Sequence, residues 1–221
     1  MGNSAQSRAA CKEADAAKKD GDAATSKAGN GSAAPPRPAD RSSSEWELTV
    51  KPDPLTEKQI ALLQENWKEL EDNIEKVGVI WFISLFETHP DVQEVFIPFK
   101  GMAKEELRNN KTLKAHALKV MAFVQKAVAR LYEQDKLDVL LRELGKKHYS
   151  YGAKQKYIDL IAPQFIEAIK PSLEATWSDE LELAWVALFN YMGTIMKAAM
   201  DIEERRAAAA TIPYAVPAQN S

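Results

Sequence analysis

From residue 55 to residue 202, apolar side chains recur every three and four positions, and no stretch alternates apolar with polar. That period belongs to helices with one buried face, so the pattern excludes a sandwich or barrel of strands and requires an all-α domain. Local signals place the helices. Thr56-x-x-Gln59 is a capping box opening a helix to about Leu70. A second helix spans about Asp72 to Thr88 and is stopped by Pro90, and a short helical turn follows to about Phe96. A long pattern runs from Lys104 to Tyr132, and a shorter one from Leu137 to Lys147. Pro163 suits the first turn of a helix ending near Pro171. Ser178 can cap a last helix through about Glu204, with Asp179 and Glu180 at its positive end. About seven helices with short connections form a globule that is not a simple four-helix bundle.

The remainder of the 221 residues reads differently. Apart from Met1, residues 1–45 contain no Val, Ile, Leu, Met, Phe, Tyr or Trp. Their twelve alanines bury too little area to offset roughly 1–2 kcal/mol of backbone ordering per residue. Residues 1–52 are therefore expected to be a disordered tail, 55–204 the folded domain, and 205–221 a flexible C-terminal tail. A net charge of −3 disfavours nucleic acid as a partner. The single cysteine, Cys11, excludes an internal disulfide and a cysteine-based zinc site. The longest apolar stretch, Val77 to Phe86, is too short to span a bilayer, and the first residues lack the apolar core of a secretory signal. A cytoplasmic location is the expectation.

The chemistry rests on histidines. His89, in Glu87-Thr-His-Pro-Asp91, reads as a turn residue at a helix end. His116 shares a helix face with Leu113, Val120 and Phe123, and His148 shares one with Leu140, Leu141 and Leu144. Either alone reads as a core histidine bonded to a backbone carbonyl. Two, on the buried faces of two helices, fit iron, copper or zinc better, because neutral imidazole is a good ligand. No carboxylate stands at the spacing that would complete a protein-only site. The economical completion is a planar macrocycle with an imidazole on each side, that is, a haem with iron.

These residues resemble the globin family. Phe86-Glu-Thr-His-Pro90 through Phe96-Ile-Pro-Phe99 is similar to the family's B–C–CD stretch. Lys114-Ala-His116-Ala-Leu-Lys119-Val120-Met121 is similar to its E helix, and Leu144-Gly-Lys-Lys-His148-Tyr-Ser-Tyr151-Gly152 to its F helix and the following corner. Within the family the likeness is to neuroglobin and to the membrane-associated globin X. The resemblance implies a globin fold of about seven to eight helices around a pocket for haem b. It implies His148 as proximal iron ligand and His116 as a distal residue that itself takes the sixth position. Phe96 would stack on the haem, Phe82 would form the distal roof, and Phe99 a pocket corner. Val120 would wall the distal side, Leu144 would pack beneath, Lys119 would approach a propionate, and Tyr151 would touch the cofactor from the corner.

The function so implied is a six-coordinate, bis-histidyl globin. It would reversibly bind dioxygen, carbon monoxide or nitric oxide, or take nitrite, in redox chemistry, electron transfer or signalling. No flavin motif is present, so an electron donor would be a separate partner. Dioxygen storage, slow nitrite reduction and nitric oxide dioxygenation remain alternatives, and no dedicated catalytic machinery marks an enzyme. Met1-Gly2-Asn-Ser4 resembles an N-myristoylation start, although Gln6 stands where Ser or Thr is usual. One myristoyl chain binds membranes marginally, which leaves Cys11 as the second lipidation signal for contact with membrane lipid at the cytoplasmic face of the plasma membrane.

Overall fold

The computed structural model describes residues 52–210. Among them are nine α-helices, three single-turn 3-10 segments and no strand, as the periodicity requires. Gly2, Cys11, nearly all of the expected N-terminal tail and everything after Ala210 lie outside the described residues.

The first helix, α1 (Glu57–Leu70), begins where the capping box places it. Thr56 accepts from the Gln59 N–H, and the Gln59 side chain accepts from the Thr56 N–H. Next come α2 (Ile74–Thr88) and α3 (Pro90–Val95), separated by His89, with Pro90 at the first position of α3. The long pattern expected from Lys104 to Tyr132 is broken into α4 (Lys104–Asn109) and α5 (Lys111–Ala129). Asn110 causes the break. Its backbone is extended (φ −71°, ψ 116°), and its side chain accepts from the Leu113 N–H at 3.0 Å. A short amide that caps a new helix outcompetes continuation of the old one.

The other elements are α6 (Gln134–Ser150), α7 (Gln155–Ile158), α8 (Ile161–Ile169) and α9 (Asp179–Ala210). At four residues, α7 is too short to leave a periodic signature. Ser178 caps α9 by accepting from the Leu181 N–H at 3.2 Å. The helix continues past the expected end at Glu204 to Ala210. Alanine has the highest helix propensity, and the pairs Arg205–Asp201 (2.6 Å) and Arg206–Glu203 (2.9 Å) support the added turn.

Packing places α9 against α6, α8 and α1, and α2 against α5 and α8. Between these layers the rings of Trp81, Phe165, Trp185 and Phe189 touch, with Phe165 and Phe189 centroids 4.7 Å apart. Two buried polar groups pin the layers. Trp185 donates to Asn66 Oδ1 at 3.0 Å, tying α9 to α1. Tyr191 donates to Asp138, tying α9 to α6, and Arg142 adds a charge to the same carboxylate at 3.4 Å. Burial, reinforced by Asp138, pushes the Tyr191 phenol well above its ordinary value, so it remains the donor.

Candidate functional site

Helix α5 lies on α2 and α1, whereas α6 lies on α9, and the two make little contact with each other. Each carries one of the two histidines singled out above. His116 stands in the second turn of α5, on the face of the fully buried Leu113 and next to the fully buried Ala117. Its ring is surrounded by aromatic edges: Phe82 at 5.0 Å, Phe96 at 5.6 Å and Phe99 at 6.4 Å between centroids. Phe86 completes this cluster, 5.3 Å from Phe96 and 5.9 Å from Phe82. Phe86 stands in the motif quoted above, yet nothing in the sequence distinguishes it from ordinary core. The two turns of α3 and the 3-10 turn Ile97–Phe99 bring Phe96 and Phe99 to α5.

His148 lies near the end of α6. Its Nδ1 is 2.8 Å from the Leu144 carbonyl oxygen. A carbonyl only accepts, so Nδ1 carries the hydrogen, and in the neutral ring Nε2 then holds the lone pair that a metal needs. Just beyond it the helix ends in a Schellman motif. Gly152 adopts φ +78°, its N–H donates to the Tyr149 oxygen, and the Ala153 N–H donates to the His148 oxygen. The backbone around His148 is thus closed on itself, which fixes the end of α6 that carries the imidazole.

The two histidines stand near enough for the charge of one to act on the other. Burial holds His116 below its ordinary pKa, and the charges of His148 and then Lys119 lower it further. The neutral imidazole is therefore favoured, and no hydrogen bond among the described residues engages it. In the ring cluster and on the two histidines' helices some apolar surface is left half covered: Phe96, Val120, Phe123 and Leu144 pack against the core yet remain partly open. Among the described residues no three His, Cys, Asp or Glu side chains converge as a metal site. Two imidazoles on different helices, accompanied by partly open apolar side chains, fit a flat, apolar group that brings its own metal and equatorial ligands.

The other expected site residues fall as follows. Phe82 and Phe99 are buried in the ring cluster; Phe96, Val120 and Leu144 are partly buried against the core. Lys119 is exposed one turn from His116 and has no ion-pair partner among the described residues, so its ammonium is free to meet an anionic substituent. Tyr151 differs from the expectation. It is 75% exposed at the C-cap of α6 and makes no ring contact with the cluster, because the helix ends there and turns its side chain to solvent. His89 sits in the α2–α3 turn, as its proline neighbour implies.

Comparison with known proteins bears on the fold. The family model described as Globin matches residues 81–196, which hold both histidines and the ring cluster. An anaerobic nitrite reductase of Brassica napus is 30% identical over 153 residues, covering 68% of this chain and 94% of that protein. A leghemoglobin of Lupinus luteus is 30% identical over 148 residues, covering 66% and 96%. Among solved structures, a hexacoordinated heme protein from an anhydrobiotic tardigrade superposes with a TM-score of 0.62 at 24% identity. The match covers 66% of this chain and 95% of that one, a likeness of fold.

Proposed function

Because the chain belongs to the globin family, we propose that residues 55–204 hold haem between α5 and α6 with both histidines on its iron, and that the protein serves redox chemistry, electron transfer or signalling with small gases or nitrite. Haem, the cofactor of the family, supplies an iron that cycles between ferric and ferrous states and takes an axial ligand. The observation that supports the reading is the pair of imidazoles on α5 and α6, near enough to interact electrostatically, one of them held through Nδ1 by the Leu144 carbonyl.

Within this reading each residue has a task. His148 is the permanent proximal ligand, and its Nδ1–H bond to Leu144 fixes tautomer and ring orientation. His116 is the exchangeable ligand. Its ring makes no hydrogen bond among the described residues, so after moving aside it can donate one to a bound ligand. Phe82, Phe96, Phe99, Val120 and Leu144 exclude water, which protects the reduced state, and Lys119 meets a propionate. An external ligand competes with His116, so its apparent affinity falls by the fraction of molecules in which the position is open. This favours electron transfer over bulk oxygen carriage and accords with the neuroglobin-like and globin X-like features of the motifs.

Nitrite reduction is the second reading, favoured by the names of the plant relatives, among them the anaerobic nitrite reductases of Brassica napus and Casuarina glauca. It needs an electron donor from outside the chain. A membrane tether through acylated Gly2 and Cys11 belongs to the first reading; among the described residues no helix is long and apolar enough to cross a bilayer.

Carbon monoxide recombination after flash photolysis tests the exchangeable ligand. The expected trace has a fast phase proportional to carbon monoxide and a slower phase that saturates, set by His116 dissociation. His116→Ala should abolish the slow phase. A single phase proportional to carbon monoxide in the wild type would contradict His116 as a ligand.

A further inference from the structure

Away from the histidines a groove of about 790 Å³ opens between the α1–α2 turn, α2, α4 and the start of α5. Its floor is apolar: Val79 and Ile83 are buried, but Ile80 is 44% exposed, one of few large apolar side chains left open among the described residues. Its rim is basic. Lys104 is paired with Glu87 and Lys114 with Glu75 (3.9 Å), but Lys76 and Arg108 have no carboxylate partner among the described residues. An apolar floor with two unanswered cations fits an extended segment bearing apolar residues on one side and acids on the other.

The chain contains one such segment directly ahead of its first described residue. In Glu45-Trp46-Glu47-Leu48-Thr49-Val50 the apolar residues alternate with polar ones, and apart from Met1 these are the first large apolar residues in the sequence. Alternation puts Trp46, Leu48 and Val50 on one side of an extended strand, with Glu45 and Glu47 on the other. Reach permits the contact. The 14 residues of α1 lead from Thr56 to the groove's edge at Asp72, a span of roughly 21 Å. The ten residues from Trp46 to Thr56 extend to roughly 33 Å. We propose that residues 45–50 run back along α1 and seat Trp46 and Leu48 on Ile80, with Glu45 and Glu47 answering Lys76 and Arg108. The contact braces α2 and α4 against the start of α5, two residues before His116 at Lys114. It stands independently of the cofactor reading.

The test uses the full chain carrying Cys11→Ser. Leu48→Cys with Ile80→Cys is compared, under diamide, with Leu48→Cys and Val139→Cys, the latter site being 57% exposed on α6. An intrachain disulfide forming at least tenfold faster for the groove pair is expected. Adding Arg108→Glu should slow it, and Glu47→Lys should then restore it. In the cysteine-free chain, Trp46→Ala should raise hydrogen exchange of the α4 amides severalfold, a readout that needs no engineered thiol. Equal rates for the two pairs, no disulfide, or unchanged exchange would overturn the proposal. Disulfide-linked dimers in place of the intrachain product would also overturn it, since a second copy would then be the occupant.

Discussion

Gly145→Ala is expected to destabilise the fold by about 3 kcal/mol, the upper end of what overpacking costs. A methyl at this position would run into the Met196 carbonyl oxygen and lie 2.9 Å from Ala199 Cβ. The nearest obstacle is backbone in the middle of α9, which cannot turn away as a side chain can. Alanine in a helix is otherwise favoured over glycine by about 1 kcal/mol, so a gain would appear if α6 and α9 could separate cheaply. The clash wins because α6 lies along α9 and is pinned there by Tyr191 and Asp138. In a domain of this size the loss lowers Tm by roughly 6–12 °C in a thermal melt. An unchanged or raised Tm would show that the α6–α9 crossing is looser than the structure has it. Gly78→Ala provides the internal comparison. There the neighbours are Met121 Cγ at 3.0 Å and Ala117 Cβ at 3.2 Å, so a methionine can give way and the loss should be smaller.

The second large effect is expected at His148. His148→Gly removes the only imidazole whose tautomer the fold fixes among the described residues, and His116 alone lacks such an anchor. The variant should lose haem at least tenfold faster to an acceptor protein. It should also melt lower, since a cofactor at about a thousand times its Kd stabilises a fold by about 4 kcal/mol. Added imidazole should occupy the vacated space and restore retention, which a merely structural role for His148 would not produce. Unchanged haem loss would contradict the proximal assignment.

How much of this was legible in the sequence follows from the physics of each signal. Helices with a clear apolar stripe and a capping residue, such as α1 with Thr56 and Gln59, could be placed to within a residue. The break at Asn110 could not, because the stripe continues through α4 into α5 and only the extended backbone of one residue divides them. The two histidines stood out because a polar ring on an apolar face is costly unless it is bonded or used. Phe86 was hidden, since a cofactor wall and a core residue have the same composition and periodicity. Tyr151 was misplaced by motif likeness. Its side-chain direction depends on where α6 stops, which Gly152 decides. The Asp138–Tyr191 pair joins positions 53 apart in sequence, and no local pattern announces such a contact. The glycine at 145 gave a signal that periodicity ignores: a residue poor in helix propensity, kept mid-helix, marks a close approach.

The central claim is that His116 and His148 both bind one haem iron. The most direct measurement is the absorption spectrum of the haem-loaded protein, ferric and dithionite-reduced, with no ligand added. The account predicts a sharp, split visible pattern in the ferrous state, the signature of low-spin iron with two imidazoles, which His116→Ala converts to one broad band. A broad five-coordinate band in the wild-type ferrous protein would contradict it.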